Sequence, residues 1–340
     1  MFMSSAQAVA RHEIAGGIRV YRIPMRVFPM LIGYSHVVIA DNYAAIIDVG
    51  SGSADSNADL LAGFAALRES WGEQLAWADL RRVLITHGHI DHYGGLGMVR
   101  SLTSAPIAVH ELDRRILNNH RERVVLTSRA VGHYLRWAGV DTAKFTALMA
   151  LYGRSKELFK PCPVETVLHD GDTLDGLFSV HHAPGHCPGQ VCLRLGDLLF
   201  SADHILNSIS PHLAPESINP WTGLSHYLAA LDTIGALAGI SLVLGGHEAP
   251  IGDLYRRVAQ IRASHQRRLE RIMQVCAEPH TIDQITQAIY PSVRDYDVLL
   301  AIEKIGAHVE YLDQRGMLMI ANLDALAADE AVAPLFVAGE

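Results

Sequence analysis

Apolar residues along the chain fall into short runs that alternate with longer amphipathic stretches. Residues 18–25 and 31–49 read as strands, the second broken by Asp41-Asn42 between Val37-Val38-Ile39 and Ala44-Ala45-Ile46-Ile47, a hairpin signal. A helix is predicted over 56–70, a strand from Leu80 to Thr86, and another at Ile107–His110. Further strands fall at 164–168, 177–182, 190–195, 197–201 and 242–244. Between the two groups of strands, residues 111–160 carry three helical stretches. The last follows Asp141 as N-cap and places Phe145, Leu148, Met149, Tyr152 and Phe159 on one face, with Pro161 and Pro163 ending it. Beyond residue 253 the pattern changes to a long arginine-rich helix (254–277), a short helix from Thr281 to Ile289, a longer one from Asp297 to Asp313, and a strand from Gly316 to Leu323. Strands alternating with helices over most of the chain imply a layered α/β architecture.

The 340 residues suffice for one large domain, or a large one with a small companion. A hydrophobic content of 49% supports a sizeable core, yet no apolar run reaches the roughly 18 residues of a membrane span. Met1–Arg11 lacks the basic start and long apolar stretch of a signal peptide, so a cytoplasmic location is expected. The four cysteines (Cys162, Cys187, Cys192, Cys276) form no CxxC pair, which argues against a disulfide framework and against a cysteine zinc knuckle. A formal charge of −8 gives no reason to expect a polyanion as partner.

The densest chemistry lies in Thr86-His87-Gly88-His89-Ile90-Asp91-His92. Imidazoles and a carboxylate are metal donors, and a carboxylate can also accept a proton. The segment follows the apolar run Val83-Leu84-Ile85 and precedes Gly94-Gly95, so it reads as a loop at the end of a buried strand. Three later residues share that placement: His186 in Ala183-Pro184-Gly185-His186-Cys187-Pro188-Gly189, Asp203 after Leu198-Leu199-Phe200-Ser201-Ala202, and His247 in Gly245-Gly246-His247-Glu248. Each alone would be an ordinary loop residue; together they point to one metal site. His36, His181, His182, His204 and His226 read as structural, and Cys187 as a small buried residue behind its loop.

The set His87, His89, Asp91, His92, His186, Asp203 and His247 resembles the ligand set of the metallo-β-lactamase-fold hydrolases. The resemblance covers about residues 18–252 and includes Asp48, in Ile46-Ile47-Asp48-Val49-Gly50, as a residue supporting the site from behind. It implies an αββα sandwich over residues 1–252. Residues 111–160, inserted soon after the ligand loop, read as a helical cap whose apolar side chains shape a substrate pocket; the plainer reading of that segment is extra core packing. By resemblance His87, His89 and His186 hold one metal, Asp91, His92 and His247 a second, and Asp203 bridges them. A hydroxide shared by the two ions is then the nucleophile, with Asp91 orienting it and shuttling a proton. Zn(II) suits this donor set, and Fe or Mn would also accept it.

Residues 253–340 are expected to form a small, mostly helical C-terminal domain. They resemble the winged-helix appendage of the LACTB-like hydrolases and endoribonucleases of that superfamily, a branch that stands near the glyoxalase-II-like enzymes. The resemblance rests on Ser264-His265-Gln266-Arg267-Arg268, Thr281-Ile282-Asp283-Gln284-Ile285 and His308-Val309-Glu310-Tyr311-Leu312. Winged helices suggest nucleic acid, but Pro279–Asp324 carries three basic and seven acidic residues, whereas a nucleic-acid footprint needs a basic face. Arg256, Arg257, Arg262, Arg267, Arg268 and Arg271 on the long helix read as a solvated, ion-paired face. The function expected is hydrolysis of a small-molecule thioester, lactone or carboxylic ester. The alternative is a phosphodiesterase or endoribonuclease of the same fold, and a third reading is a regulatory or binding protein that retains the metal site. A small-molecule substrate and no membrane partner are expected, with a homodimer as the default assembly for an enzyme of this size.

Overall fold

The computed structural model describes residues 8–154 and 159–339. Met1–Gln7, residues 155–158 of the expected cap, and Glu340 lie outside the described residues.

The chain opens with β1 (Ala10–Ile14), β2 (Ile18–Phe28), β3 (Leu31–Ala40) and β4 (Tyr43–Ile47), followed by α1 (Ala54–Glu69). Next come β5 (Arg82–Leu84), the short turns of helix α2 (Ile90–Tyr93) and α3 (Leu96–Val99), and β6 (Ile107–His110). Three helices follow, α4 (Glu111–Asn118), α5 (His120–Trp137) and α6 (Thr142–Arg154), before β7 (Thr166–Leu168). These seven strands form one sheet in sequence order, antiparallel from β1 to β4 and parallel from β4 to β7. The second sheet contains β8 (Thr173–Leu174), β9 (Phe178–His182), β10 (Val191–Leu195) and β11 (Leu198–Ala202). It also contains β12 (Leu242–Gly245), which follows α7 (Leu224–Gly235) and pairs parallel with β11. The remaining elements are α8 (Leu254–Val275), α9 (Ile282–Ile289), α10 (Tyr296–Asp313), β13 (Leu318–Ile320), α11 (Leu323–Ala328) and β14 (Phe336–Ala338), with β13 and β14 forming a small antiparallel sheet.

The period-two alternation of the strands sorts their side chains into layers. Val20, Val38, Ile47 and Leu84 face inward and meet Val180, Leu193, Phe200 and Leu244 of the other sheet. Their neighbours Tyr21, Val37, Ile46 and Val83 face outward and bury Leu60, Phe64 and Leu67 of α1. On the far side, Cys192, Leu199 and Val243 back onto α7 and α8, and the same apolar cluster runs on through α5, α6, α9 and α10. Both sheets are therefore covered by helices, the four-layer arrangement expected.

Caps fix several helix starts. The Ser53 hydroxyl accepts from Ser56 N, the Asp253 carboxylate from Arg256 N, and Thr281 forms a capping box with Gln284. Asp141 accepts from Ala143 N and Lys144 N, as its expected role requires. The α6 face is realised only in part. Leu148 and Tyr152 are buried with the cluster shared by α10, whereas Phe159 leaves that face and packs edge-on against Tyr93 and His120 beside the first sheet. The strands β1, β8 and β14 and the helices α2, α3, α7 and α11 went unread in the sequence.

Arginines on α8 make varied contacts. Arg262 pairs with Asp232, while Arg257 is buried and donates to the carbonyls of Leu206 (2.6 Å) and Ile209 (2.8 Å). No helix among the described residues is long and apolar enough to cross a membrane.

Candidate metal centre

The ends of β4, β5, β9, β11 and β12 lie along one edge of the sandwich, so Asp48, the His87–His92 segment, His186, Asp203 and His247 meet there. His89 Nδ1 lies 3.1 Å from His87 Nε2 and 2.8 Å from His186 Nε2. In the second group, His247 Nε2 is 3.3 Å from Asp91 Oδ2, and His92 Nε2 is 3.7 Å from the same oxygen. Asp203 stands between the groups. Its Oδ1 is 3.5 Å from His92 Nε2, and its Oδ2 is 3.4 Å from His247 Nε2 and 3.6 Å from His186 Nε2. The structure thus brings all seven sequence-expected residues together, and their donor atoms fall into overlapping groups of three that could hold metal ions.

His92, His247, His186 and His87 are fixed from the outside, which aims the other ring nitrogen inward. His92 Nδ1 donates to Asp48 Oδ2 (2.8 Å), His247 Nδ1 to the Ile32 carbonyl (2.8 Å) and His186 Nδ1 to the His212 carbonyl (2.6 Å). His87 Nδ1 donates to Thr86 Oγ1 (3.1 Å), whose own proton goes to Asp48 Oδ2 (2.7 Å). Asp48 also accepts from Thr86 N (2.8 Å), so its carboxylate is spent on holding two ligand-bearing segments.

The residues present fit a pair of cations. His92 Nε2 and Asp203 Oδ1 are buried and have no hydrogen-bond partner, an arrangement that native interiors rarely leave uncompensated. Electrostatics point the same way. Burial disfavours charge on His247, yet Asp203 and Asp91 outweigh it and push its pKa up to about 10. Burial raises the Asp91 carboxyl, but His92 and His247 overcome that and hold it at about 2. Across the site, burial lowers His186 to about 4 and holds His87 well below the usual histidine range. His87 and His186 therefore offer neutral imidazoles, and the other group demands positive charge beside its carboxylates. Five histidines and two aspartates form a nitrogen and oxygen set that suits Zn(II), Fe or Mn.

Three non-glycine residues beside the site have strained backbone. Asp48, Ala202 and Glu248 adopt left-handed conformations, with φ of 56°, 43° and 60°. Such conformations cost roughly 1–3 kcal/mol each and persist where the surroundings dictate them. Gly185 precedes His186 with φ of 120°, and a Cβ there would lie 2.5 Å from the backbone of Tyr227. A Cβ on Gly246 would lie 2.5 Å from Asp203 Oδ1 and 2.6 Å from His92 Cε1.

Sequence reasoning missed a central residue, Asp113 on the first turn of α4. It is fully buried, and its carboxylate accepts from Gly88 N (2.7 Å), Gly189 N (2.9 Å) and Cys187 Sγ (3.3 Å). It thereby ties the His87–His92 loop to the His186 loop. Burial pushes its carboxyl above the ordinary carboxylate range, against the pull of those donors. Cys187 is buried behind its loop as expected, and burial, followed by Asp113, holds its thiol well above the usual range. The histidines read as structural stay outside the cluster. His204 packs beside Tyr227, His36 sits edge-on to Phe200, His182 donates to the Pro188 carbonyl, and His226 donates to Glu216. His181 is partly buried on β9, and its Nε2 has no hydrogen-bond partner.

Comparison with known proteins agrees with this geometry. Residues 29–277 match the family model of the metallo-beta-lactamase superfamily. A probable metallo-hydrolase of Bacillus subtilis is 22% identical over 253 residues, covering 69% of this chain and 76% of that protein. An uncharacterized protein of Aquifex aeolicus is 30% identical over 130 residues, which span 35% of this chain and only 48% of the relative. Among solved structures, a metallo-beta-lactamase family protein from Thermus thermophilus superposes with a TM-score of 0.76 at 23% identity, covering 96% of this chain and 99% of that one. A beta-lactamase domain protein from Burkholderia ambifaria gives 0.74 at 21% identity, covering 97% and 93%. At these identities the structural likeness speaks for the fold alone.

Proposed function

The chain belongs to the metallo-beta-lactamase superfamily, whose members are generally metal-dependent hydrolases, and from that membership we propose that it hydrolyses an ester-type bond of a small molecule at a two-metal centre. The observation that carries the reading is the convergence of seven donor side chains from four strand ends, with the outer ring nitrogen of four imidazoles already held by a hydrogen bond. His87, His89 and His186 would hold one ion, Asp91, His92 and His247 the other, and Asp203 would serve both. Bound there, divalent cations supply Lewis acidity and a water acidic enough to attack near neutral pH.

The side chains perform the remaining tasks. His89, Ile90 and Asp91 are the members of the His87–His92 segment that are partly exposed, so substrate approaches from their side. Asp91 Oδ2 orients the attacking water and takes its proton, which then passes to the leaving alcohol or thiol. Helices α4 to α6, inserted between β6 and β7, are proposed to wall the approach to the site. A thioester, lactone or carboxylic ester is favoured over a phosphodiester because the chain carries a net charge of −8 and its C-terminal stretch is acidic.

Protein purified without chelator should contain close to two metal ions per chain, and Asp203→Ala should keep its far-ultraviolet circular dichroism spectrum while losing metal and turnover. A panel of thioesters, lactones and bis-p-nitrophenyl phosphate reads the substrate class. Turnover of the phosphodiester alone would replace the ester reading with the phosphodiesterase one, and full activity in Asp203→Ala would remove the metal mechanism.

A further inference from the structure

The outer hydrogen bond of His186 does not end at the His212 carbonyl. The ring of His212 donates from Nε2 to Glu303 Oε2 at 2.8 Å, and Glu303 lies on α10, near the end of the chain. Glu303 is buried, with 6% of its surface exposed, so water has little access to its carboxylate. The order of contacts is therefore Glu303 carboxylate, His212 ring, His212 carbonyl, His186 Nδ1, His186 Nε2. A second acid about two turns further along α10, Glu310, accepts from Glu216 N (2.7 Å) and Ser217 N (3.1 Å) of the same connecting loop.

We propose that Glu303 is a positioning residue for the metal centre, so that the C-terminal helix completes a site otherwise built from the first 250 residues. The proposal rests on the metal-centre reading given above. Glu303 holds the His212 side chain, which fixes the backbone at residue 212 and keeps its carbonyl on His186 Nδ1. His186 then presents Nε2 to the ion it shares with His87 and His89. The isolated contact His186–His212 would not do this alone, because a loop carbonyl positions a ligand only as well as the loop itself is held.

The test uses the full-length chain with Glu303→Ala, Glu303→Gln and, as a control for general loosening of the loop, Glu310→Ala. Chelator competition should show one of two zinc ions bound roughly 10–100-fold more weakly in Glu303→Ala. Glu303→Gln, whose amide oxygen still accepts from His212 Nε2, should retain wild-type affinity, and Glu310→Ala should stay close to it. Nitrogen-15 spectra of the imidazoles in metal-free protein give a second readout. His186 should carry its proton on Nδ1 in wild type and Glu303→Gln, and become a tautomer mixture in Glu303→Ala. An unchanged His186 signal in Glu303→Ala overturns the proposal whatever the metal content. Equal effects of Glu303→Ala and Glu310→Ala also overturn it, since they would mean that the loop is merely loosened. Wild-type protein that takes up no metal would sink the metal-centre reading, while the imidazole spectra would still decide the role of Glu303.

Discussion

Replacing Asp113 by alanine isolates the clamp between the two histidine loops. The substitution removes the acceptor for Gly88 N and Gly189 N, both enclosed by the loops they belong to. An orphaned buried donor costs about 1–3 kcal/mol. Two of them, offset by relief of the carboxylate's own burial, give a loss of about 2–4 kcal/mol. The damage is directed as well as general, because Gly88 lies between His87 and His89 and Gly189 lies three residues after His186. Metal affinity should therefore fall by roughly 10–100-fold beyond any loss of fold. Asp113→Asn keeps one acceptor oxygen and turns an amide donor toward the other N–H, so it should fall between wild type and Asp113→Ala. Urea unfolding of the metal-free proteins reads the stability term, and chelator competition on the folded proteins reads the second. A metal-free Asp113→Ala protein with wild-type urea midpoint and slope, and wild-type zinc affinity, would refute the clamp argument.

Two further outcomes are expected. Gly246→Ala places a methyl group within 2.6 Å of both Asp203 Oδ1 and His92 Cε1, so zinc content measured by plasma emission should fall well below two per chain, and full occupancy would show that the backbone yields cheaply. His265 and His308 stack in the interior of the C-terminal helices with Arg268 and Lys304 beside them, and burial, followed by Arg268, brings His265 down to about 3. Because the folded pKa lies below the unfolded value of 6.5, the contribution of His265 to stability is complete above about pH 6.5. It is lost as the pH falls from there toward 3, at up to about 1.4 kcal/mol per pH unit. His265→Gln should flatten the dependence of the urea midpoint on pH between 6.5 and 5 by that amount, and an unaltered slope would show that His265 is already protonated in the folded chain.

The parts of the fold legible in the sequence are those where one physical rule acts alone. β3 and β4 alternate between two apolar layers and are separated by a two-residue turn, so periodicity and turn chemistry agree. The seven candidate metal donors were legible because their residue types are costly to place in such order by accident. β1 escaped because it is an edge strand with the sequence ARHEI, whose side chains stay largely outside the core. The start of α7 escaped because Gly223, with φ of 96°, enters it without a side-chain cap. Asp113 and Glu303 were hidden for a different reason. Their partners are backbone groups and a loop histidine far along the chain, and no local pattern marks a carboxylate that will be needed there. Phe159 followed the spacing of α6 on paper, yet its ring fills the space between Tyr93 and His120 instead.

The apolar cluster that joins α5 and α6 to α8, α9 and α10 has a consequence for how the protein is made. A ribosome delivers the chain from its first residue at roughly 5–20 residues per second. All seven donor side chains have emerged when His247 does, whereas Glu303 and most of the helices that bury α5 and α6 follow some seconds later. During that interval the nascent chain holds every metal donor but lacks the helix against which the His186 loop is braced. On the metal-centre reading, the His186 loop gains its brace only once α10 has been made and packed.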